Sequence, residues 1–457
     1  MKYHLITFGC QMNKSDSERI RSILSDINIE ETDSEEEADF ILLNTCSVRQ
    51  TAETRIYSLA DKYGKWKKEK PNLIIGITGC MPGRDHDGKI RKKLPMVDLF
   101  FDIQRITELP QMLSEFNYDI PNKNPLDEHY LKIHPKYKNQ FQAFIPIQNG
   151  CNKYCTYCVV PFSRGREINR PLLDVLREIR SFAEQGGKEI TLLGQTVNSF
   201  TCEDTEHFSK ENPFESHFAK LLWEVNQVDG IERIHFTAPH PRDMQDDVIE
   251  ALALPKHVNF IHLPVQSGSN KILKRMNRPY TRELFIDLIK KIRKRNPNIA
   301  IGTDIIVGFC DETPEDFAET LSLYQECDFD ISYHAQYSPR TGTLAYKGMK
   351  DNVSREDKKK RWTELQNLME EITYRKNQKF QDQEVSVLFD NYDPVKKLAS
   401  GWSREMKKVQ VKSPIDLTGQ ILNVIIEKPE LWVLEGKLLS EPEAVNKPKT
   451  KGLPMVF

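Results

Sequence analysis

Three cysteines lie close together near the middle of the chain, in the run Cys151-Asn-Lys-Tyr-Cys155-Thr-Tyr-Cys158, directly after a predicted strand. Three thiolates in one short loop can ligate three irons of a 4Fe-4S cluster and leave the fourth iron open. A zinc site is the alternative, but it would normally need a fourth Cys or His at ligand spacing, and none follows Cys158 closely. The loop therefore predicts a 4Fe-4S cluster whose open iron S-adenosylmethionine could chelate through its amino and carboxylate groups.

Three further cysteines, Cys10, Cys46 and Cys80, are far apart in sequence, but each follows a predicted strand. The carboxyl ends of parallel strands share one edge of a sheet, so three loops at that edge can bring three thiols together. Gly9 and Gly79 would let the backbone bend close to a bulky inorganic group. Spacing alone leaves two interpretations open, a second cluster or three unrelated buried thiols. The other cysteines, which show no such pattern, are Cys202, Cys310 and Cys327.

Polar and glycine residues near the predicted barrel strands could hold a zwitterionic, adenosyl-bearing cofactor. A TIM-like barrel collects its binding groups at the strand ends. Each of these residues could equally be a turn or cap residue. The candidate S-adenosylmethionine contacts are Gly186, Gly187, Gln195, Asn198, Gln266, Ser267 and Asp304.

Two groups of basic residues could contact nucleic acid. One follows the 151–158 loop, and salt bridges to Glu167 and Asp174 are its alternative explanation. The other lies near the C-terminus with Trp402, where basic strands and an aromatic ring suit an RNA backbone and base stacking. A solvated charged surface is the alternative there. The first group comprises Arg164, Arg166 and Arg170, and the second comprises Lys396, Lys397, Arg404, Lys407, Lys408 and Lys412.

The elements that would position these residues begin with an α/β domain. Residues 1–118 alternate short apolar runs with helical stretches, which predicts a mostly parallel sheet covered on both faces. Residues 119–140 are rich in proline and polar residues and are predicted to be a linker.

A second predicted domain covers residues 141–371. Six strand-helix units predict a partial TIM-like (β/α)6 barrel, in which chemistry gathers at the carboxyl ends of the strands. A long charged helix from Arg355 to Phe380 is predicted to follow. The predicted barrel strands are Ala143 to Gln148, Glu189 to Leu193, Arg233 to Thr237, Asn259 to Val265, Ile299 to Val307 and Asp330 to Tyr337.

Residues 374–440 contain short predicted strands without helices between them, which predicts a small all-β barrel. Residues 441–457, rich in Pro and Lys, are predicted to be a flexible tail. The predicted strands of this barrel are Glu384 to Phe389, Val409 to Val411, Ile421 to Ile426 and Trp432 to Leu438.

The composition limits the classes of protein to consider. A chain of 457 residues exceeds what one hydrophobic core usually serves. No apolar stretch approaches the roughly 20 residues of a membrane span, and the N-terminus lacks signal-peptide features, so we expect a cytoplasmic protein. Nine cysteines in such a chain favour metal binding over structural disulfides. A net charge of -2 argues against non-specific coating of nucleic acid.

Several motifs give the sequence a resemblance to a known family over nearly its whole length. The run Thr7-Phe-Gly-Cys10-Gln-Met-Asn13, the stretch Gln148 to Pro161, and the motifs Leu193-Gly-Gln195, His240-Pro-Arg242-Asp243 and His262 to Ser269 carry it. The sequence resembles the MiaB-type tRNA methylthiotransferases of the radical SAM superfamily, and the first motif is similar to the branch that acts on N6-isopentenyladenosine. Two departures are Met81-Pro-Gly-Arg84, where the family usually has Met-Ala-Gln-Arg, and Thr196, where Asn is common.

The resemblance implies an enzyme that converts N6-(dimethylallyl)adenosine at position 37 of tRNA to its 2-methylthio derivative. It implies two 4Fe-4S clusters, the auxiliary one on Cys10, Cys46 and Cys80, and no catalytic side chain beyond the cluster ligands is predicted. Two S-adenosylmethionine molecules would serve, one as methyl donor and one as source of a 5'-deoxyadenosyl radical. The C-terminal barrel would be a TRAM domain that grips tRNA.

The implied partners are the anticodon stem-loop of tRNA, an electron donor such as flavodoxin or ferredoxin, and a sulfur source, with no membrane. We expect a monomer. The alternatives are methylthiolation of threonylcarbamoyladenosine 37 or of a ribosomal protein aspartate, and, more distantly, a non-catalytic metal-stabilised RNA-binding protein.

Overall fold

The computed structural model describes residues 1–47, 50–116 and 129–440. The chain forms two compact units, one from Met1 to Met369 and one that begins at Glu370. Residues 119–128 of the predicted linker and the whole predicted tail, 441–457, lie outside the described residues. Within the described part of the chain, no helix combines the length and the apolar character needed to span a bilayer.

The first unit begins with a five-stranded parallel sheet in the order β2-β1-β3-β4-β5. Side chains alternate between the two faces of a strand, and the central strand, which contains Phe40 to Leu43, is apolar on both. Phe40 and Leu42 pack in one hydrophobic cluster with helix α1, and Ile41 and Leu43 pack in another with helix α2. The predicted α/β sheet is therefore confirmed.

The elements of this region are strands β1 (Lys2–Thr7), β2 (Glu30–Glu31), β3 (Phe40–Thr45), β4 (Ile74–Gly79) and β5 (Leu99–Phe100), and helices α1 (Gln11–Asp26), α2 (Gln50–Glu69), α3 (Cys80–Gly83), α4 (Lys89–Lys92) and α5 (Leu109–Ser114).

The next region contains six parallel strands in two three-stranded sheets, β10-β9-β6 and β11-β12-β13. An isolated parallel bridge between Ile234 and His257 lies between the two sheets. Helix α7 buries Val175, Ile179 and Phe182, whose spacing of three to four residues matches one helical face. The six predicted barrel strands are confirmed, with ends that differ by a few residues.

The strands here are β6 (Gln142–Pro146), β7 (Gln148–Asn149), β8 (Ile168–Asn169), β9 (Glu189–Leu193), β10 (Arg233–Phe236), β11 (Phe260–His262), β12 (Ala300–Val307) and β13 (Ile331–Gln336). The helices are α6 (Val160–Ser163), α7 (Leu172–Glu184), α8 (His217–Asn226), α9 (Asp246–Ala251), α10 (Asn270–Arg275), α11 (Arg282–Arg295), α12 (Pro314–Cys327), α13 (Leu344–Gly348) and α14 (Arg355–Asn377).

The second unit contains a closed five-stranded barrel in the order β14-β15-β16-β18-β17, as predicted for a TRAM domain. Its strands are β14 (Glu384–Asp393), β15 (Leu398–Ser403), β16 (Lys408–Lys412), β17 (Ile421–Pro429) and β18 (Leu434–Leu438). Strand β15 was not predicted, because the run Leu-Ala-Ser-Gly-Trp-Ser has few residues that favour strands. Gly401 is needed there, since a Cβ atom would lie 2.2 Å from the carbonyl oxygen of Leu388.

Candidate functional site

Cys151, Cys155 and Cys158, which we call the local triad, lie in a loop between β7 and α6. Gly150 turns the chain into this loop with φ +76°, and the amide of Cys151 donates to the carbonyl oxygen of Gly165 over 3.1 Å. The backbone amides of Lys153 and Val160 each lie 3.5 Å from a cysteine sulfur, Cys151 and Cys158 respectively. Backbone N–H groups thus point at two of the three thiols, as they would have to in order to stabilise thiolate ligands.

Arg278 brings a positive charge to the local triad from a distant part of the chain. Its Nη1 donates to the sulfur of Cys155 over 3.4 Å, its Nε to the hydroxyl of Tyr280 over 2.7 Å, and its Nη2 to the carbonyl oxygen of Pro264 over 3.2 Å. The residue is 8% exposed. A buried guanidinium held by three partners can offset negative charge on the sulfur of Cys155. Arg278 was not among the residues predicted from the sequence.

The local thiols lie close enough to influence one another. Burial raises the pKa of Cys158 to about 12, and charge on Cys155 adds to the effect. Burial also raises the pKa of Cys151, while the amide of Lys153 lowers it and Cys155 again raises it. The raised pKa values favour neutral thiols at Cys151 and Cys158, so these groups would become thiolate ligands only with a cation such as iron beside them.

Cys10, Cys46 and Cys80, which we call the dispersed triad, follow the adjacent parallel strands β1, β3 and β4. Gly9 has φ +114°, and a Cβ atom there would lie 2.4 Å from the Cβ of Cys46. Gly79 has φ +93°, and a Cβ atom there would lie 2.4 Å from the carbonyl oxygen of Thr45. The three strand-end loops are therefore in direct contact, and glycine is required at two of them.

Two buried amide side chains hold these loops. Asn13 donates through Nδ2 to the Oδ1 of Asn44 over 3.0 Å and to the carbonyl oxygen of Thr45 over 2.9 Å. Asn44 donates back to the carbonyl oxygen of Asn13 over 2.8 Å. The sulfur of Cys10 lies 3.2 Å from the Oδ1 of Asn13. In the sequence, Asn13 is notable only because it follows Cys10 by three residues. Its hydrogen-bond partner Asn44 is evident only in the fold.

Cys10 is exposed as a residue, yet the groups packed around its sulfur partly desolvate the thiol. This desolvation raises the pKa of Cys10, the guanidinium of Arg164 lowers it, and charge on Cys80 raises it. The effect of Cys80 on the pKa of Cys10 is consistent with the contact between the strand-end loops.

The donor sets of both triads fit an iron-sulfur cluster. Among the described residues, no three Cys, His, Asp or Glu side chains converge on a point that could hold a single metal ion. A three-cysteine cluster site requires no such convergence, because each thiolate binds a different iron. Gly9 and Gly79 have no side chains, so they leave space beside the dispersed triad that a larger residue would fill.

The candidate S-adenosylmethionine contacts divide into two sets. Gln195, Asn198, Gln266, Ser267 and Asp304 lie at or beyond the carboxyl-terminal parts of β9, β11 and β12. Within this set, Asn198 accepts from the amide of His240 over 2.7 Å, and Asp304 pairs with the Nε2 of His262 over 3.1 Å. Gln266 has φ +71°, a conformation uncommon outside glycine, which marks a constrained loop at this edge.

The positions of Gly186 and Gly187 differ from their predicted role as S-adenosylmethionine contacts. They follow helix α7 and precede β9, so they lie at the amino end of that strand, opposite the edge that carries the local triad. Gly186 takes φ +91°, as a helix-terminating glycine does, and Gly187 packs against the ring of Phe182. Their role is to end the helix and not to contact the cofactor.

Arg164 and Arg170 also differ from their predicted role as RNA contacts. Arg164 is 1% exposed and pairs with Asp16 over 2.6 Å, and Arg170 is 5% exposed and pairs with Glu178 over 2.7 Å. Both guanidinium groups form ion pairs with buried carboxylates, so neither is accessible to an RNA phosphate. Arg166 of the same group is exposed.

Glu178 is the centre of a buried ion-pair network, because Arg19 of α1 also donates to its carboxylate, over 2.9 Å. Burial raises the pKa of Glu178, but Arg19 and Arg170 outweigh it, so the pKa lies below its ordinary value. The carboxylate is therefore charged and joins α1 to α7.

In the second unit, the predicted basic group lies on β16 and on the turns before and after β15. Lys396, Lys397 and Lys412 are exposed, and Arg404, Lys407 and Lys408 are partly exposed. Trp402 donates its indole N–H to Asp390 over 2.9 Å, which fixes the ring.

Comparison with known proteins adds evidence for both regions of the first unit. Residues 145–324 match the radical SAM superfamily, and residues 2–102 match the uncharacterized protein family UPF0004. The chain is 40% identical over 452 residues to the tRNA-2-methylthio-N(6)-dimethylallyladenosine synthase of Bacillus licheniformis, across 96% of this chain and 86% of that protein.

A second relative with the same name, from Geobacillus kaustophilus, is 41% identical over 455 residues, across 97% of this chain and 83% of that protein. Among solved structures, the radical S-adenosylmethionine methyltransferase TsrM from Kitasatospora setae has a TM-score of 0.52 at 12% identity, across 73% of this chain and 72% of that one. This last likeness concerns the fold alone.

Proposed function

We infer that this chain, which belongs to the family of tRNA-2-methylthio-N(6)-dimethylallyladenosine synthases, adds a methylthio group to the adenine of N6-dimethylallyladenosine in tRNA. It is a radical SAM enzyme and a transferase that uses an iron-sulfur cluster and S-adenosylmethionine. The observation that carries this conclusion is the 40% identity to such a synthase across 96% of the chain.

We propose two 4Fe-4S clusters, one on the local triad and one on the dispersed triad. When bound, the first supplies the electron that cleaves S-adenosylmethionine and the second supplies a site for sulfur. The support is the donor set: three thiols at each site, with a buried cation beside Cys155 and backbone N–H groups on Cys151 and Cys158. An aromatic C–H offers neither an acidic proton nor a leaving group, so the cofactors must provide the reactivity.

The chain's own residues then position the reactants. Gln195, Gln266 and Asp304 remain our candidates for S-adenosylmethionine contacts, because they lie toward the strand ends on the side of the local triad. Asn198 and Ser267 are buried and hydrogen-bonded within the protein, so they would shape this pocket through their neighbours.

The tRNA contacts are also proposals. A base in an RNA loop must be splayed out before an enzyme can act on its edge, and phosphate contacts hold the loop meanwhile. Arg166 beside the local triad and the basic group of the second unit are our candidates. The six basic residues of that group are Lys396, Lys397, Arg404, Lys407, Lys408 and Lys412.

We further propose residues 1–118, 141–371 and 374–440 as functional domains, a flavodoxin or ferredoxin as electron donor, a separate sulfur source, and a cytoplasmic monomer. A reductant such as dithionite replaces the protein donor in the experiment below.

The direct test supplies the purified chain with S-adenosylmethionine, dithionite, sodium sulfide as the sulfur source and an anticodon stem-loop that carries N6-dimethylallyladenosine at position 37. We expect its 2-methylthio derivative by mass spectrometry. A stem-loop with threonylcarbamoyladenosine is the matched control, and methylthiolation of that RNA alone would contradict the proposal. Iron and sulfide analysis should give about eight irons per chain for two clusters.

A further inference from the structure

Residues 338–348, which we call the bridging segment, follow β13 at its carboxyl end and include α13. The carbonyl oxygen of Thr341 accepts from the Nη1 of Arg84 over 3.3 Å. The amide of Ala345 donates to the carbonyl oxygen of Thr156 over 2.7 Å, and Thr156 lies within the loop of the local triad. The bridging segment is therefore hydrogen-bonded to Arg84 on one side and to the local loop on the other.

Arg84 is fixed beside the dispersed triad by two further contacts. Its Nη2 pairs with the carboxylate of Glu53 over 2.6 Å, and its Nε donates to the hydroxyl of Ser47 over 3.1 Å. Ser47 directly follows Cys46, and Arg84 caps the α3 turn that begins at Cys80. The guanidinium thus reaches in three directions at once, to α2, to the loop after β3 and to the bridging segment.

The chemistry of these three contacts suits arginine in particular. The side chains of Arg84 and Glu53 are only 10% and 6% exposed, so loss of the guanidinium would leave a buried carboxylate uncompensated. A planar guanidinium donates in several fixed directions, whereas the ammonium of lysine concentrates its charge at one point. Lysine at this position would keep a charge beside Glu53 and lose at least one of the other two contacts.

The bridging segment is short and held in shape between its two contacts. The hydroxyl of Thr343 donates to the carbonyl oxygen of Arg340 over 2.8 Å and accepts from the amide of Tyr346 over 3.2 Å, which caps α13. Ala345 is fully buried in a hydrophobic cluster against which Tyr157 of the local loop packs. A displacement at one end of the bridging segment is therefore transmitted to the other end.

We propose that Arg84 is a positioning residue that sets, through the bridging segment, the placement of the dispersed triad relative to the local triad. The radical formed at one triad and the sulfur held at the other must reach the same adenine, so this placement decides whether cleavage of S-adenosylmethionine leads to product. A misplacement of about 1 Å can lower a rate about 100-fold. This inference rests on the proposed function, because it requires a cluster at each triad.

The test compares Arg84→Lys with Arg233→Lys. Arg233 forms the same kind of buried ion pair, with Glu189 over 2.8 Å, at side-chain exposures of 2% and 8%. Arg233 and Glu189 begin β10 and β9, so they lie at the edge of the barrel opposite the local triad. For each variant we would measure iron content, 5'-deoxyadenosine release, methylthiolated RNA, and amide hydrogen exchange of the bridging segment in the metal-free chain.

We expect Arg84→Lys to keep about eight irons and to release 5'-deoxyadenosine at the wild-type rate. Product per 5'-deoxyadenosine should fall about 10-fold, the lower worth of a hydrogen bond from a charged donor. Amide exchange in the bridging segment should become faster, because Thr341 loses its anchor. Arg233→Lys should match the wild type in the product ratio and in this exchange. An unchanged ratio in Arg84→Lys would overturn the inference, as would an equal fall of product and 5'-deoxyadenosine.

A second pair of variants decides the matter if Arg84→Lys does not fold. Thr343→Ala removes the hydroxyl that holds the bridging segment but leaves the ion pair of Arg84 intact, whereas Thr343→Ser keeps a hydroxyl. We expect product per 5'-deoxyadenosine to fall about fivefold in the alanine variant, the worth of one neutral hydrogen bond, and to stay near the wild-type value in the serine variant. Equal ratios in the two variants would overturn the inference. Wild-type protein with about four irons would instead contradict the proposed function itself.

Discussion

The two cysteine triads are built in opposite ways. The local triad occupies one eight-residue loop, and backbone amides of that loop and its margin reach two of its sulfurs. The dispersed triad draws one cysteine from each of three strand ends, and buried amides and two bent glycines hold the loops together. The local triad depends on its own loop and on one distant arginine, Arg278. The dispersed triad forms only when β1, β3 and β4 are paired.

Removing one ligand from each triad tests this contrast most strongly. Cys155→Ser should abolish both 5'-deoxyadenosine release and methylthio product, because the radical is no longer formed. Cys46→Ser should abolish the product but leave 5'-deoxyadenosine release. Each variant should hold about four irons per chain. Product formed by Cys46→Ser would show that the dispersed triad has no part in the reaction.

The next largest effect is expected at the distant arginine of the local triad. Arg278→Met keeps much of the side-chain length but removes the N–H donor and the charge near Cys155. Loss of such a supporting contact typically costs 10–100-fold, so we expect 5'-deoxyadenosine release to fall about 30-fold. Arg275→Met is the control, since Arg275 pairs with Asp311 and not with a sulfur. Equal losses in both variants would contradict a specific role for Arg278.

Gly79→Ala addresses the dispersed triad through its backbone. The added methyl group combines a positive φ with a contact of 2.4 Å to the carbonyl oxygen of Thr45. We expect the free energy of unfolding of the metal-free chain to fall by about 3 kcal/mol and iron to be lost from the dispersed triad first. Denaturant unfolding and iron analysis measure both effects.

Gly88→Ala is the matched control for that substitution. Gly88 also has a positive φ, +68°, but a Cβ atom there would meet nothing within 4 Å. Its cost should be about 1 kcal/mol, from the backbone conformation alone. Equal costs in the two variants would mean that the contact with Thr45 is unimportant.

A smaller effect than that of Gly79→Ala is expected from Asn13→Ala. The change leaves the Oδ1 of Asn44 and the carbonyl oxygen of Thr45 without their buried donor, which should lower the free energy of unfolding by about 2 kcal/mol. Asn152→Ala, in the exposed part of the local loop, removes one exposed hydrogen bond from the amide of Glu167 and should cost no more than about 0.5 kcal/mol. A similar cost at both positions, measured by denaturant unfolding, would remove the distinction between the two triads.

The sequence predicted most of the framework that carries these sites. Apolar runs of the right length located the four main strands of the first sheet and the six barrel strands, because hydrophobic periodicity is a local property. The same strand predictions also located the six cysteines near strand ends. Strand β15 escaped prediction because its pairing with β14 and β16, and not its own composition, makes it a strand.

Side-chain roles that depend on distant partners could not be predicted in the same way. Arg164 and its partner Asp16 are 148 residues apart, and Arg278 lies 123 residues from Cys155. An arginine after a cysteine loop looks the same in sequence whether it faces a phosphate or a buried carboxylate. Gly186 and Gly187 were assigned by their proximity to a strand alone, although their position before β9 and not after it already puts them at its amino end.

The buried pair of Arg19 and Glu178 has a consequence for the order of events during synthesis. The two residues are 159 positions apart, so the ribosome releases Arg19 long before its partner. The apolar side of α1 packs against the first sheet, but the guanidinium of Arg19 gains its carboxylate only after α7 has emerged. The contact between α1 and α7 should therefore form late in synthesis, and a nascent chain arrested before residue 178 should lack it.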